Sequence, residues 1–309
     1  MKNAFIKTLI ELAEKDDKIV LLTGDLGYRI FDSFVEKFPN RFYNVGIAEA
    51  NMASMAAGLA LEGFKPYIYS IVPFVTLRCL EQIRNDIAYN NKNVKIIGVG
   101  GGFAYGHGGT THHGIEDISI MRAIPNMQVF CPGDSFETGA IIESSYGIKS
   151  PSYIRLGRGG EQKIHTKEIK KYTIGDMLFL EMTVEKHKDL IIMSTGEMLE
   201  TATKVKQELE NKYISCVVVS IPTVKLLNIK QLKCVTNLSK NIITLEENTL
   251  CGGFGSCIVE HLMDLKISAR LKRFGIPDCF CKITGDQEYL RDLCGLSVEK
   301  IVDETIKFF

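Results

Sequence analysis

The sequence predicts an α/β protein of two domains, each a mostly parallel sheet flanked by helices. Three observations carry this. Short apolar runs alternate with helix-length segments along nearly the whole chain, a charged stretch interrupts the alternation once, and 309 residues suffice for two cores. In the first domain, residues 1–160, strands are expected at Lys18–Thr23, Lys65–Ile71, Val94–Val99, Met127–Cys131 and Ser152–Leu156. Helices at 49–62, 74–90, 115–123 and 134–147 fill the intervals. The stretch Gly159–Lys188, which contains Lys167-Glu168-Ile169-Lys170-Lys171, reads as a crossover with the linker proper at 161–185. In the second domain, residues 186–309, the strands are Asp189–Thr195, Cys216–Ile221, Asn241–Glu246 and Ala269–Phe274, and the last helix is Ser297–Phe308.

Composition excludes several classes of function. Lysine plus arginine and aspartate plus glutamate both number 37, so no basic excess draws the chain to nucleic acid or an anionic membrane. No apolar stretch approaches membrane-spanning length, and the N-terminus lacks the apolar core of a signal peptide, so a cytoplasmic location is expected. The nine cysteines contain no Cys-x-x-Cys pair, and most are expected to be small core hydrophobes in a reducing compartment. Cys279-Phe280-Cys281 has no supporting ligand spacing nearby, so no metal site is assigned to this chain.

Two segments carry chemistry. In Tyr43-Asn44-Val45-Gly46-Ile47-Ala48-Glu49-Ala50, a short strand turns through Gly46 and presents a carboxylate at the opening of an Ala- and Met-rich helix. Taken alone, Glu49 could simply complement the positive end of that helix. The helix sets Met52, Ala53, Ala56, Ala57 and Ala60 on neighbouring faces, small enough for close approach of another element of this chain or of a partner. The second segment is Gly98–Gly114. It holds eight glycines and three of the six histidines, and fits neither a Gly-x-x-x-x-Gly-Lys nor a Gly-x-Gly-x-x-Gly pattern. Imidazoles on so permissive a backbone suit proton exchange with a small substrate, the alternative being a solvated surface turn. Asp25, Glu49 and this loop all follow strands, at the edge of a parallel sheet where ligands bind.

Thr111-His112-His113-Gly114-Ile115-Glu116-Asp117, followed by Met121-Arg122-Ala123-Ile124-Pro125-Asn126, resembles a signature of the transketolase family. So do the Glu49 turn, Thr23-Gly24-Asp25-Leu26, Leu80-Glu81-Gln82-Ile83-Arg84-Asn85-Asp86, Pro151–Arg158, Glu246-Glu247-Asn248 with Gly252-Gly253-Phe254-Gly255, and Phe274–Asp278, all in family order. The resemblance implies a pyrimidine-binding domain followed by a transketolase C-terminal domain, and thiamine diphosphate with Mg2+ as cofactors. It implies that Glu49 shares a proton with the cofactor's aminopyrimidine ring, that Phe74 stacks on that ring, and that Ile71 and Asp25 line the same site. His112 would bond the reacting oxygen or carry its proton, and Arg158 would hold a substrate phosphate.

No Gly-Asp-Gly occurs, although the family's diphosphate- and magnesium-binding domain carries one. A β-type subunit is therefore expected, with an N-terminal transketolase subunit supplying those ligands in an α2β2 assembly with β–β contact. Around the substrate the sequence departs from the family. Gly108 replaces an aspartate, His107 lies beside it, glycines at 100–102 replace a basic residue, and Arg29 replaces a small one. An unusual or nucleotide-linked sugar in place of an ordinary pentose phosphate is the expectation, read by Arg29, His107 and His113. The competing family readings are the β subunit of a 2-oxo acid dehydrogenase, a deoxyxylulose-phosphate synthase-like enzyme, and a catalytically silent regulatory homologue.

Overall fold

The computed structural model of the chain describes residues 1–181 and 187–309. The boundary expected at 185/186 lies outside the described residues. The first unit runs through α1 (Lys2–Ala13), β1 (Ile19–Thr23), α2 (Asp32–Lys37), β2 (Phe42–Asn44), α3 (Glu49–Leu61), β3 (Lys65–Ile71), α4 (Val72–Val75) and α5 (Leu80–Gln82). It continues through β4 (Lys95–Val99), α6 (Asp117–Ala123), β5 (Gln128–Phe130), α7 (Ser135–Tyr146) and β6 (Ser152–Leu156). The remainder opens with β7 (Leu178–Phe179), β8 (Leu190–Ser194), α8 (Met198–Glu210), β9 (Cys216–Ser220), β10 (Thr223–Lys225) and α9 (Ile229–Val235). It ends with β11 (Asn241–Thr249), α10 (Phe254–Asp264), β12 (Arg270–Ile276), α11 (Gln287–Leu293) and α12 (Val298–Ile306).

These strands form two sheets, in the orders β10-β5-β6-β4-β3-β1-β2 and β12-β11-β8-β9-β7. Pairing is parallel except at β10–β5 and β7–β9. Interior strands β1, β4, β6, β8 and β9 are buried at every position, because helices cover both faces of a parallel sheet and every side chain must be accommodated inside. One apolar cluster runs through both units and includes Val20, Ile68 and Ile96 of the first with Ile191, Val217 and Ile242 of the second. Strand β10 ties them further, since it comes from the second half of the sequence yet closes the edge of the first sheet.

Two expectations need correction, the helix at 74–90 and the burial of the cysteines, and one open alternative, the packing of α3, is decided. The single helix at 74–90 is broken: Thr76 donates its hydroxyl back to the Val72 carbonyl at 2.6 Å and leaves helical geometry, at φ −118° and ψ −78°. The chain then re-enters through α5 and takes π pitch over Ile83–Ala88, so the turn between carries Arg78 to the sheet edge. The small face of α3 packs within this chain, with Met52, Ala53, Ala56 and Ala57 buried in the shared core while Ser54 and Gly58 are exposed. Of the nine free cysteines, only Cys79, Cys131, Cys216 and Cys257 are buried, so most are not core residues.

Asp16, in the turn after α1, accepts from Lys65 Nζ at 2.7 Å, Tyr146 Oη at 2.8 Å and the Lys18 amide at 2.9 Å. Burial alone would raise its pKa, but the bonds to Lys65, the Lys18 amide and Tyr146 together hold it down, at about 2. A carboxyl with a depressed folded pKa stabilises the fold above its unfolded value of about 4, and that contribution is lost as pH falls toward 2. Asp16→Asn is expected to lower the melting temperature at pH 7, with the gap from wild type closing by pH 2. A constant gap across that range would contradict the assignment.

Candidate active site

The sheet's parallel register brings β1, β2, β3, β4 and β6 to end on one edge, at Thr23, Asn44, Ile71, Val99 and Leu156. Every candidate cofactor and substrate residue lies at or follows one of these ends. Glu49 is the first residue of α3 and is 1% exposed. Its Oε1 accepts from Ser70 Oγ at 3.2 Å, and its Oε2 accepts from Arg78 at 2.7 Å. Gly24 makes room for it, because a Cβ there would stand 3.2 Å from Glu49 Cγ.

The Arg78 guanidinium lies 4.0 Å over the Phe74 ring. Phe74 also meets His112 edge to face at 5.1 Å between centroids. His112 Nδ1 is 2.9 Å from Thr111 Oγ1, and a hydroxyl there fixes the ring's orientation and leaves Nε2 free. Glu49, Arg78, Phe74 and His112 thus form one contiguous row. Ile71 sits half-buried and extended at the entry to α4, one turn before Phe74.

Asp25 has φ +54°, a left-handed conformation that is uncommon outside glycine. Asn44 holds it there. The Asn44 Nδ2 donates to Asp25 Oδ1 at 3.2 Å, while Asn44 Oδ1 accepts from the Asp25 amide at 3.0 Å and the Gly46 amide at 3.0 Å. One side chain therefore couples the turn after β1 to the turn that delivers Glu49.

The substrate candidates separate. His107 is exposed in a 3-10 turn and shares a cleft of about 380 Å³ with Arg158, Glu197, Asp286 and Gln287. Arg158 stacks 4.8 Å over Tyr105 and donates to the Ala104 carbonyl at 3.4 Å. Arg29 is exposed, with φ +62°, and stacks at 5.2 Å on Tyr28, itself 85% exposed. His113 departs from its expected role as a substrate contact. It is 2% exposed, its Nε2 lies 3.2 Å from the Gly106 carbonyl, and its ring packs edge to face on Phe103 at 5.1 Å. His112 is half-buried against Phe74, whereas its neighbour His113 is buried against Phe103 and braces the loop.

Residues 1–161 match the transketolase pyrimidine-binding domain, and residues 181–301 match the transketolase C-terminal domain. The chain belongs to the transketolase family. It is 32% identical over 278 residues to a subunit of the apulose-4-phosphate transketolase of Phocaeicola vulgatus, covering 90% of this chain and 87% of that protein. It is 33% identical over 303 residues to a 6-deoxy-6-sulfo-D-fructose transketolase subunit of a Clostridium species, covering 98% and 92%. A solved structure described as a split-gene transketolase, inactive beta4 tetramer, overlays with a TM-score of 0.86 at 34% identity, covering 98% and 96%.

In this transketolase chain the sequence reading overlooked Arg78 and Asn44. Their contacts join positions 29 and 19 residues apart, which no local spacing reveals. An arginine one turn after a candidate stacking aromatic was the available signal for Arg78. Among the described residues no group of three or more His, Cys, Asp or Glu side chains could hold a metal ion, and no helix is long and apolar enough to cross a membrane.

Proposed function

We propose that the chain is the β-type half of a two-polypeptide transketolase that moves a two-carbon ketol unit from a ketose to an aldehyde acceptor. The observation carrying this reading is the buried Glu49 carboxylate joined to the Phe74 ring through one flat guanidinium. The Arg78 guanidinium is a flat group that stacks on Phe74 while donating to Glu49. An aminopyrimidine ring asks for the same two contacts, so the residues present fit thiamine diphosphate. When bound, that cofactor supplies a thiazolium carbon able to stabilise a carbanion.

The chain's own residues do the rest. Glu49 would share a proton with the ring in the place Arg78 now takes, Phe74 would orient the ring, Ile71 would line the same site, and Asp25 would lie beside the thiazolium. His112 Nε2, the ring nitrogen that Thr111 does not engage, would exchange a proton with the reacting oxygen of the sugar. The diphosphate and Mg2+ ligands belong to an N-terminal partner subunit in an α2β2 assembly with β–β contact, working in the cytoplasm. Both relatives named above carry an anionic sugar in their names, a phosphate or a sulfonate. Arg158, exposed beside His107 in the cleft, is suited to such a group. Arg29 and His107 replace the usual family contacts and read the remainder of the sugar.

The test is reconstitution with the N-terminal subunit and assay of two-carbon transfer from anionic ketoses. The chain alone should be inert; full turnover without a partner, or acyl transfer with release of carbon dioxide, would sink the reading. Arg158→Ala is expected to raise KM for an anionic donor by about 10- to 100-fold, the loss of a charge-assisted bond, with kcat little changed. An equal effect on an uncharged donor would remove Arg158 from that role.

A further inference from the structure

Strand β11 carries three consecutive polar residues, Glu246, Glu247 and Asn248, all buried. Two of them bond the starts of helices. Glu246 accepts from the Phe254 and Gly255 amides at the start of α10, and Asn248 accepts from the Ile118 amide of α6. Glu247 instead reaches into the glycine-rich loop, and its Oε1 accepts from the Phe103 amide at 2.9 Å across 144 residues of sequence. Arg291 at 2.5 Å and Gln287 at 3.0 Å, both from α11, hold the same carboxylate from the other side.

The contact falls at the root of the His112 loop. Gly102 and Gly114 exchange backbone hydrogen bonds at 2.6 and 2.9 Å, closing the loop at its base. Gly102 has φ +61°, and a Cβ there would stand 2.3 Å from Glu247 Cδ, so glycine lets the carboxylate reach the backbone. Phe103, which donates the bond, is fully buried and supports His113, whose neighbour is His112. The same second-unit segment props the loop's tip: Thr110 donates to the Cys281 carbonyl at 3.1 Å, and a Cβ at Gly106 would stand 2.3 Å from the Gly285 carbonyl.

We propose that Glu247 is a positioning residue: from the C-terminal domain it anchors the Phe103 amide and so holds His112 against Phe74. It acts through the loop and touches neither sugar nor cofactor. Its catalytic consequence rests on the transketolase reading; its effect on the loop does not. An unpartnered buried amide is costly, so its release should open the loop locally.

Hydrogen exchange of the full-length chain separates the two. Glu247→Ala is expected to speed amide exchange across Gly102–Gly114 by about tenfold or more. Glu247→Gln keeps an oxygen for Phe103 and should retain the wild-type loop protection, although it loses the ion pair with Arg291. Arg291→Met should lower the melting temperature and leave the loop protected. In the reconstituted enzyme, Glu247→Ala should lower kcat about tenfold with KM and cofactor affinity near wild type, and Glu247→Gln should restore kcat. Unchanged loop exchange in a folded Glu247→Ala chain overturns the proposal. So does a loop that Glu247→Gln or Arg291→Met opens, a comparison that still decides if the alanine variant fails to fold. Absence of any transfer by the wild-type pair would count against the proposed reaction alone.

Discussion

Glu49→Gln is expected to lower turnover of the reconstituted enzyme by about 10²- to 10⁴-fold, the usual contribution of a positioned acid–base group. The fold should survive. The single amide oxygen can keep one of the two donors, Ser70 or Arg78, and Arg78 is 42% exposed, so water can take over its charge. The variant cannot hand a proton to a ring nitrogen or take one from it. The prediction is therefore a protein with a near-wild-type melting temperature and partner affinity that lacks the circular-dichroism signature of the activated cofactor. Turnover within a factor of two of wild type would show that the carboxylate merely complements the N-terminus of α3.

His112→Ala is expected to reduce kcat by about 10²- to 10³-fold, equivalent to losing one preorganised donor worth about 2.7–4 kcal/mol in the transition state. The ring is half-buried against Phe74 and Tyr105, on a loop whose base is closed by Gly102 and Gly114, so its removal leaves the backbone anchored. The loss should appear in kcat and kcat/KM alike, because the donor matters most when charge develops on the sugar oxygen. His112→Asn, which retains a donor, should recover part of the rate. A KM effect alone would make His112 a binding contact.

Much of the framework could be read from the sequence because buried parallel strands are continuous apolar runs. Strands β3 and β6 occupy the expected Lys65–Ile71 and Ser152–Leu156, and α3 opens at Glu49 as expected. What escaped is built from few residues or distant ones. Strands β7 and β10, of two and three residues, pair antiparallel at sheet edges and leave no periodic trace. The broken helix after Phe74 turns on one threonine hydroxyl, which looks like any other exposed polar residue in sequence. Among the site candidates, Phe74 and His112 stand together in space with Glu49, whereas the adjacent His113 is buried against Phe103 and the Gly106 carbonyl. The Glu246-Glu247-Asn248 run held a usable warning, since three polar residues inside a buried strand must each find a partner.

Because Thr223–Lys225 stitches the outer margin of the N-terminal sheet, the two family modules are not interchangeable parts. A fragment cut within the connecting segment would expose the rim of β5 as a template for foreign strands and prone to self-association. Chimaeras that graft a different C-terminal module would need to bring a compatible stitch with them, which ties the evolution of the distal half to that of the proximal one.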